Sequence, residues 1–257
     1  MFLCDFWHDY EVLDTGNGEK LERWGDVILR RPDPQVIWPK AAPKQWERAD
    51  AWYHRAETGG GSWEFFRRLP ERWVIGLDDL RFYVRPTGFK HTGLFPEQAA
   101  NWRFMREQIK KSANARPRIL NLFAYTGGAT LACAAQGAQV THVDAAKGMV
   151  LWAKENRDLS GVPEGNTRFL IEDAAAFVRR ELRRGNRYDG ILMDPPSYGR
   201  GPNGEVWKLE DELYDLVELC AQALSDSPAF FLVNGYTTGF SASVLGNVVQ
   251  RCLAGRG

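Results

Sequence analysis

The chain has 257 residues, of which 44% are hydrophobic, and its 33 basic and 33 acidic side chains leave no formal net charge. That length and composition predict a soluble globular protein of one or two domains. No stretch approaches the roughly 18 apolar residues that span a bilayer, and the first residues lack a basic leader, so we expect a cytoplasmic protein without a membrane partner.

Residues 10–85 are predicted to form short strands separated by turn residues, at 10–13, 21–30, 63–69, 73–77 and 80–85. Pro32, Pro34, Pro39 and Pro43 interrupt the middle of this region. Because proline has no backbone N–H to donate, they predict an extended crossing segment rather than a helix. We therefore expect a small β-rich domain at residues 1–88.

After a predicted helix at 96–111, the pattern changes to strands that alternate with helices. The predicted strands are 118–123, 139–144, 167–171, 188–193 and 229–234, and the predicted helices between and after them are 129–136, 147–159, 174–184, 209–224 and 241–253. Such alternation is typical of βαβ units, so residues 89–257 are predicted to be an α/β domain with a mostly parallel sheet.

Ligands of open parallel sheets bind at the carboxyl ends of the strands, where three features stand out. Gly127, after the first of these strands, lets the backbone approach a ligand closely, although an ordinary strand-to-helix turn would look the same. Asp144 ends the second strand, where its carboxylate can accept both hydroxyl bonds of a ribose. Asp173 follows the third strand, where it can accept from an adenine amino group or cap a helix.

These three features together predict a pocket for an adenosyl ligand. NAD fits most of that description, but its glycine fingerprint, GxGxxG, is absent after the first strand. The turn at Thr126, Gly127 and Gly128 therefore suits a ligand without phosphates.

The fourth strand ends in Asp194, Pro195, Pro196 and Ser197, followed by Tyr198, and this is the most specific signal in the chain. The two prolines stiffen the backbone and remove two N–H donors, so the segment presents acceptors only. Such a segment suits a substrate that donates an N–H. Tyr198 is predicted to lie against a planar base.

Charge and cysteine positions add two weaker observations. Residues 20–118 carry 20 Lys or Arg against 12 Asp or Glu, which fits either solvated surface charge or a phosphate-facing patch. Cys4, Cys133, Cys220 and Cys252 lie far apart without a CxxC pair, so neither a disulfide framework nor a metal site is predicted.

Five segments carry a family likeness: HTGLFPEQ at 91–98, NLFAYTGG at 121–128, VDA at 143–145, EN at 155–156 and DPPSY at 194–198. With these motifs the chain resembles the class I S-adenosylmethionine-dependent methyltransferases, and more closely the bacterial large-subunit (23S) ribosomal RNA methyltransferases that act on cytosine C5 or guanine N7. The resemblance implies a Rossmann-like sheet behind a small β-rich domain. It also implies that S-adenosylmethionine contacts Phe95, Gln98, Asn121, Phe123, Tyr125, Thr126, Gly127, Asp144, Ala145, Asp173, Ala174 and Asp194.

Two departures from the family pattern matter. The cytosine-C5 enzymes place a nucleophilic cysteine just after the fifth strand, but residues 234–238 read NGYTT here. Methyl transfer to nitrogen or oxygen is therefore expected. The superfamily's sheet usually continues with two further strands after a helix like 241–253, so we expect the final strands to be missing and the fifth strand to be an exposed edge.

The sequence thus predicts a methyltransferase that modifies a base nitrogen in ribosomal RNA without a metal. Asp194 and the Pro195 carbonyl are expected to orient the acceptor, Pro196 to stiffen the segment and Tyr198 to hold the base. Three alternatives stay open: a small-molecule N- or O-methyltransferase, an NAD-dependent oxidoreductase and a catalytically silent RNA-binding module. The target nucleotide and the oligomeric state are left undetermined.

Overall fold

The computed structural model describes residues 4–56, 60–200, 206–237 and 239–255, with the backbone alone at residue 200. The chain divides into two compact units, Met1–Ala100 and Asn101–Gly257. The domain boundary expected after residue 88 stays a prediction.

The first unit contains a five-stranded sheet in the order β1-β2-β3-β4-β5 and a separate hairpin, β6–β7. All adjacent strands of the sheet are antiparallel except β3 and β4, which are parallel. Alternate residues of β3, Val27, Leu29 and Arg31, are buried, whereas Leu21 of β2 is buried in a separate cluster with Trp46 and Ala49. The strands are β1 Tyr10–Gly16, β2 Glu19–Trp24, β3 Val27–Pro32, β4 Ala51–Arg55, β5 Gly61–Phe65, β6 Trp73–Leu77 and β7 Leu80–Val84.

The predicted strand at 21–30 is wrong as a single element, because the chain reverses inside it. Gly25 adopts a left-handed φ of 64°, and Trp24 pairs with Val27 across the two-residue turn that joins β2 to β3. A residue with a side chain adopts that backbone conformation only at a cost, so glycine at this position allows the reversal.

The proline-rich segment also differs from its predicted extended form. It contains a short 3-10 helix, Pro43–Arg48, which begins with proline at its first position. Proline is tolerated there because the first N–H of a helix has no partner within the helix. The strand β4, which follows directly, was not predicted.

The second unit holds a five-stranded parallel sheet in the order β10-β9-β8-β11-β14. This order reverses beside the central strand β8, which creates the switch point where ligands of such sheets bind. The strands are β8 Arg118–Leu122, β9 Gln139–Asp144, β10 Thr167–Ile171, β11 Gly190–Met193 and β14 Phe230–Val233, and the helices are α1 Ala99–Lys111, α2 Gly128–Ala135, α3 Lys147–Leu159, α4 Ala174–Arg183, α5 Leu209–Gln222 and α6 Ala242–Cys252.

The core of this unit explains why the inner strand β11 is apolar throughout. All four of its residues are buried, and Ile191 and Met193 form one cluster with Leu120, Leu122, Val143 and residues of α4 and α5. Strands covered by helices on both faces have no solvent side, so their side chains do not alternate. This arrangement confirms the predicted α/β, Rossmann-like class.

Two features lie outside the predicted alternation. A short antiparallel hairpin, β12 Tyr198–Arg200 with β13 Val206–Lys208, follows the Asp194 segment, and residues 201–205 lie outside the described chain. Within the described chain, β14 pairs only with β11 and so forms one edge of the sheet. No helix in the described ranges combines the length and the apolar character that a bilayer crossing requires.

Candidate active site

The turn after β8 holds an unusual series of left-handed residues. Phe123 has φ 54°, Tyr125 has φ 51° and Gly127 has φ 88°. For the two aromatic residues this conformation costs about 1–3 kcal/mol each, and such strain is concentrated at functional sites. The turn leads directly into α2, whose N-cap is Gly127 and has no side-chain cap.

Both glycines of this turn are required by close packing. A Cβ at Gly127 would lie 3.0 Å from the Ala153 Cβ on α3, and one at Gly128 would collide with the Trp102 indole. The backbone of the turn is therefore held tightly between α1 and α3.

Asp144 lies beside this turn at the end of β9. Its Oδ2 accepts a hydrogen bond of 2.8 Å from the Tyr125 backbone N–H, and its Oδ1 accepts one of 2.8 Å from the Ala146 backbone N–H. Burial raises the pKa of the carboxyl, and these two N–H bonds oppose the rise. A largely desolvated carboxylate with two further acceptor positions suits a pair of ligand hydroxyl groups.

Asp173 caps helix α4 through Oδ1, which accepts a 2.8 Å bond from the Ala176 backbone N–H. The helix-capping alternative considered for this residue is therefore present in the structure. A cap uses one carboxylate oxygen, so it is compatible with a ligand bond to the other. Ala174, the next residue, is buried, whereas Ala145 beside Asp144 is exposed.

Two predicted contact residues lie behind the turn rather than on its surface. Asn121 is 3% exposed and donates a 2.9 Å bond to Thr130 Oγ1, which lies 2.9 Å from His142 Nδ1. Thr126 is 1% exposed, and its carbonyl accepts a 2.9 Å bond from Asn156 Nδ2. Through these hydrogen bonds, Asn121 connects β8 to α2 and Thr126 connects the turn to α3. Both residues therefore stabilise the turn from its buried side.

The buried partners of Asn121 were not identified from the sequence. Thr130 and His142 are fully buried, and burial lowers the pKa of His142 to about 3. His142 stands opposite Asn121 in the β8–β9 register, two residues before Asp144. Only that register could have indicated the contact, since the two residues are 21 positions apart in the chain.

The acceptor segment follows β11, the other neighbour of β8. Pro195 is buried, Pro196 is exposed, and the Pro196 carbonyl accepts a 2.7 Å bond from the Trp207 indole N–H. Ser197 Oγ lies 2.5 Å from Thr237 Oγ1, which ties this segment to the loop after β14. The segment is therefore anchored at Pro196 and Ser197.

Tyr198 begins the hairpin, and 52% of its surface is exposed, while its contact with a base stays a prediction. Phe95 and Gln98 belong to the first unit, where Phe95 immediately precedes a 3-10 helix, Pro96–Gln98. Both side chains are half-buried, and their part in the site stays a prediction.

Comparison with known proteins agrees with this geometry. Residues 30–220 match the family model described as S-adenosylmethionine-dependent methyltransferase. A crystal structure of the SAM-dependent methyltransferase from Agrobacterium tumefaciens is 39% identical, superposes with a TM-score of 0.92, and matches 97% of this chain and 80% of its own.

Curated relatives carry a more specific name. Ribosomal RNA large subunit methyltransferase K/L of Magnetococcus marinus is 28% identical over 81% of this chain, and that of Shewanella frigidimarina is 32% identical over 82%. The chain spans only 28% of the length of each of these relatives. With the family model matching most of the chain and a solved member superposing along nearly all of it, this protein belongs to the S-adenosylmethionine-dependent methyltransferase family.

Proposed function

We propose that this chain binds S-adenosylmethionine at the carboxyl ends of β8, β9 and β10 and transfers its methyl group to a base nitrogen of ribosomal RNA. The observation that carries the proposal is the Asp144 carboxylate, held by two backbone N–H groups beside the strained turn at Phe123 and Tyr125. When bound, the cofactor supplies an electrophilic methyl group on a sulfonium sulfur, and the thioether that remains after transfer is the leaving group.

The residues of the turn and strand ends divide into contact and support roles in this proposal. Asp144 accepts the ribose hydroxyls, and the second oxygen of Asp173 accepts from the adenine amino group. Gly127 lets the backbone approach the ligand. Asn121 and Thr126 hold the turn from behind, as their buried hydrogen bonds indicate. The remaining predicted contacts are Phe95, Gln98, Phe123, Tyr125, Ala145, Ala174 and Asp194.

Asp194 is proposed as the residue that orients the acceptor, together with the Pro195 carbonyl. The reaction needs the acceptor nitrogen in line with the methyl group and an acceptor for one proton, and a carboxylate at the end of β11 provides that acceptor. The stiff backbone at Pro195 and Pro196 keeps this carboxylate in place, while the exposed Tyr198 stacks on the base.

The cysteines support transfer to nitrogen rather than to a ring carbon. Cys133 and Cys220 are fully buried, and burial raises the pKa of Cys133 to about 12 and also raises that of Cys220. Buried thiols of this kind are poor nucleophiles. After β14 the described residues 234–237 contain no cysteine, and Thr238 lies outside the described chain.

An RNA substrate is favoured over a small molecule by two observations. The curated relatives are named for ribosomal RNA, and Tyr198 and Tyr236, which follow neighbouring strands, are 52% and 51% exposed. Exposed aromatic side chains suit an unstacked base of a large substrate better than an enclosed small molecule. A ribosomal substrate would also place the protein in the cytoplasm.

Two measurements test this function. Calorimetric titration should detect S-adenosylmethionine binding and no NAD binding, and the reverse would make the chain an oxidoreductase. Incubation with tritium-labelled cofactor should transfer label to unmodified large-subunit RNA. Cofactor binding with label found only in small acceptors would favour the small-molecule alternative, and RNA binding without cofactor binding would indicate a silent RNA-binding module.

A further inference from the structure

Trp207 connects the acceptor segment to the cofactor turn, although it belongs to neither. It lies on β13 of the hairpin and pairs with Gly199 of β12. Its indole N–H donates the 2.7 Å bond to the Pro196 carbonyl, and its ring centroid lies 5.4 Å from that of Phe123 at an interplanar angle of 50°. One side chain therefore contacts both halves of the site within the second unit.

The acceptor segment depends on bonds of this kind because of its own composition. Pro195 and Pro196 have no N–H groups, so they cannot hold the segment by donating hydrogen bonds. Their rings restrict φ, but ψ of Pro196, which sets the direction of its carbonyl and of Ser197, is left to other contacts. The Trp207 indole N–H supplies such a contact, and the bond from Leu209 N to the Ser197 carbonyl, 3.1 Å long, supplies the next one.

The contact with Phe123 gives the same side chain a second effect. Phe123 holds a left-handed backbone at the end of β8, a conformation that surrounding contacts must maintain. The Trp207 ring is half-buried and packs with Phe123 against one core cluster. Movement of the acceptor segment and movement of the cofactor turn are thereby restrained by one indole.

We infer that Trp207 is a positioning residue, whose indole N–H and ring hold the Asp194–Pro195–Pro196 segment in register with the turn at Phe123 for methyl transfer. The inference rests on the proposed function and adds to it a residue that touches neither substrate nor cofactor. Loss of Trp207 should impair the alignment of the reacting groups and thereby lower the rate of methyl transfer. It should leave the cofactor contacts of Asp144 intact.

The test separates the hydrogen bond from the ring. Trp207→Phe keeps an aromatic ring beside Phe123 and removes the N–H, so we expect turnover to fall about tenfold while cofactor affinity changes less than twofold. Trp207→Leu also removes the aromatic ring, and we expect cofactor affinity to fall several-fold in addition. Trp73→Phe is the matched control, because it removes a 2.8 Å indole bond to the Trp24 carbonyl in the first unit.

A role in stability alone would give a different pattern. It predicts a lower melting temperature for Trp207→Phe, with turnover per folded molecule unchanged, as in Trp73→Phe. That result, or unchanged turnover in Trp207→Leu, would overturn the inference. A fall in turnover confined to the Trp207 variants would support it.

A spectroscopic readout keeps the inference testable apart from activity. In protein labelled with ¹⁵N-tryptophan, the indole N–H signal missing from Trp207→Phe should exchange slowly with solvent and shift when S-adenosylmethionine is added. Fast exchange would contradict the bond to Pro196. If the wild-type protein binds cofactor but methylates no RNA, the proposal of an RNA substrate fails. The indole signal then still tests whether Trp207 is bonded to Pro196 and responds to the cofactor.

Discussion

The Tyr125 backbone N–H donates a 2.8 Å hydrogen bond to Asp144 Oδ2, which joins the turn after β8 to the end of β9. The bond explains how a tyrosine stays in the left-handed region, because the carboxylate holds its peptide group from the neighbouring strand. Asp144 therefore shapes the turn as well as offering acceptors to a ligand.

Replacement of Asp144 should remove cofactor binding. Each hydrogen bond from a ribose hydroxyl to a carboxylate contributes about 1.5–3 kcal/mol, so we expect Asp144→Ala to lower the affinity for S-adenosylmethionine more than tenfold. Calorimetric titration measures the change, and circular dichroism verifies the fold. Asp158→Ala serves as the control, because Asp158 is an exposed carboxylate on α3. Undiminished affinity in folded Asp144→Ala would exclude Asp144 from the site.

Asp194 should affect the rate more than binding. Asp194→Asn keeps the shape of the side chain, loses its charge and replaces one acceptor with a donor. An interaction made mainly in the transition state lowers turnover without weakening ground-state binding, so we expect turnover to fall roughly 10²-fold and cofactor affinity only several-fold. A parallel fall in both would make Asp194 a cofactor ligand. No fall in either would make the segment a structural turn.

No covalent enzyme–RNA adduct should form during the reaction. Transfer to nitrogen needs no attack on the base by a thiol, and burial raises the pKa of both Cys133 and Cys220. RNA containing 5-fluorocytosine should therefore leave the mass of the denatured protein unchanged. An adduct on any cysteine would revive transfer to the C5 carbon of cytosine.

The buried His142 should make the protein sensitive to acid. Its pKa is about 3 in the folded protein and about 6.5 when exposed, so the unfolded state binds more protons and stability falls from pH 6.5 toward pH 3. At pH 5 the loss amounts to about 2 kcal/mol relative to pH 7. Urea unfolding of the wild-type protein should show at least this loss between the two pH values, and His142→Asn should reduce the loss by about 2 kcal/mol.

The His142→Asn variant still contains His91, a second histidine whose pKa is lowered, to about 4, by burial and nearby cations. The comparison of the two proteins therefore isolates His142. An equal acid response in wild type and variant would show that His142 is not buried in its neutral form.

The sequence predicted the parts of the fold that depend on local patterns. The alternation of strands with helices, and the carboxylates of Asp144 and Asp194 at the ends of β9 and β11, indicated a parallel sheet with a ligand edge, and the structure confirms the sheet. The turn at Gly25 was missed because the residues that flank it, Trp24, Val27 and Ile28, all favour a strand. The hairpin with Trp207 was missed because its three-residue strands are too short to show alternation.

Contacts between distant elements account for the rest. Asn121 was predicted to touch the cofactor, but it donates to Thr130 on α2, and Thr130 contacts His142 on β9. The polar character of these side chains is visible in the sequence, whereas their common burial depends on how α2 packs across two strands. Trp207 shows the same limit, since its partners Pro196 and Phe123 lie 11 and 84 positions away.

The most direct test of the proposed function is the identity of the methylated atom. Unmodified large-subunit RNA, incubated with the protein and cofactor carrying a ¹³C-methyl group, is digested to nucleosides and analysed by mass spectrometry. We predict a single labelled nucleoside whose methyl group resides on a base nitrogen, formed roughly 10²-fold more slowly by Asp194→Asn. Label on a base carbon or on ribose, or RNA left unlabelled by protein that binds the cofactor, would contradict the account.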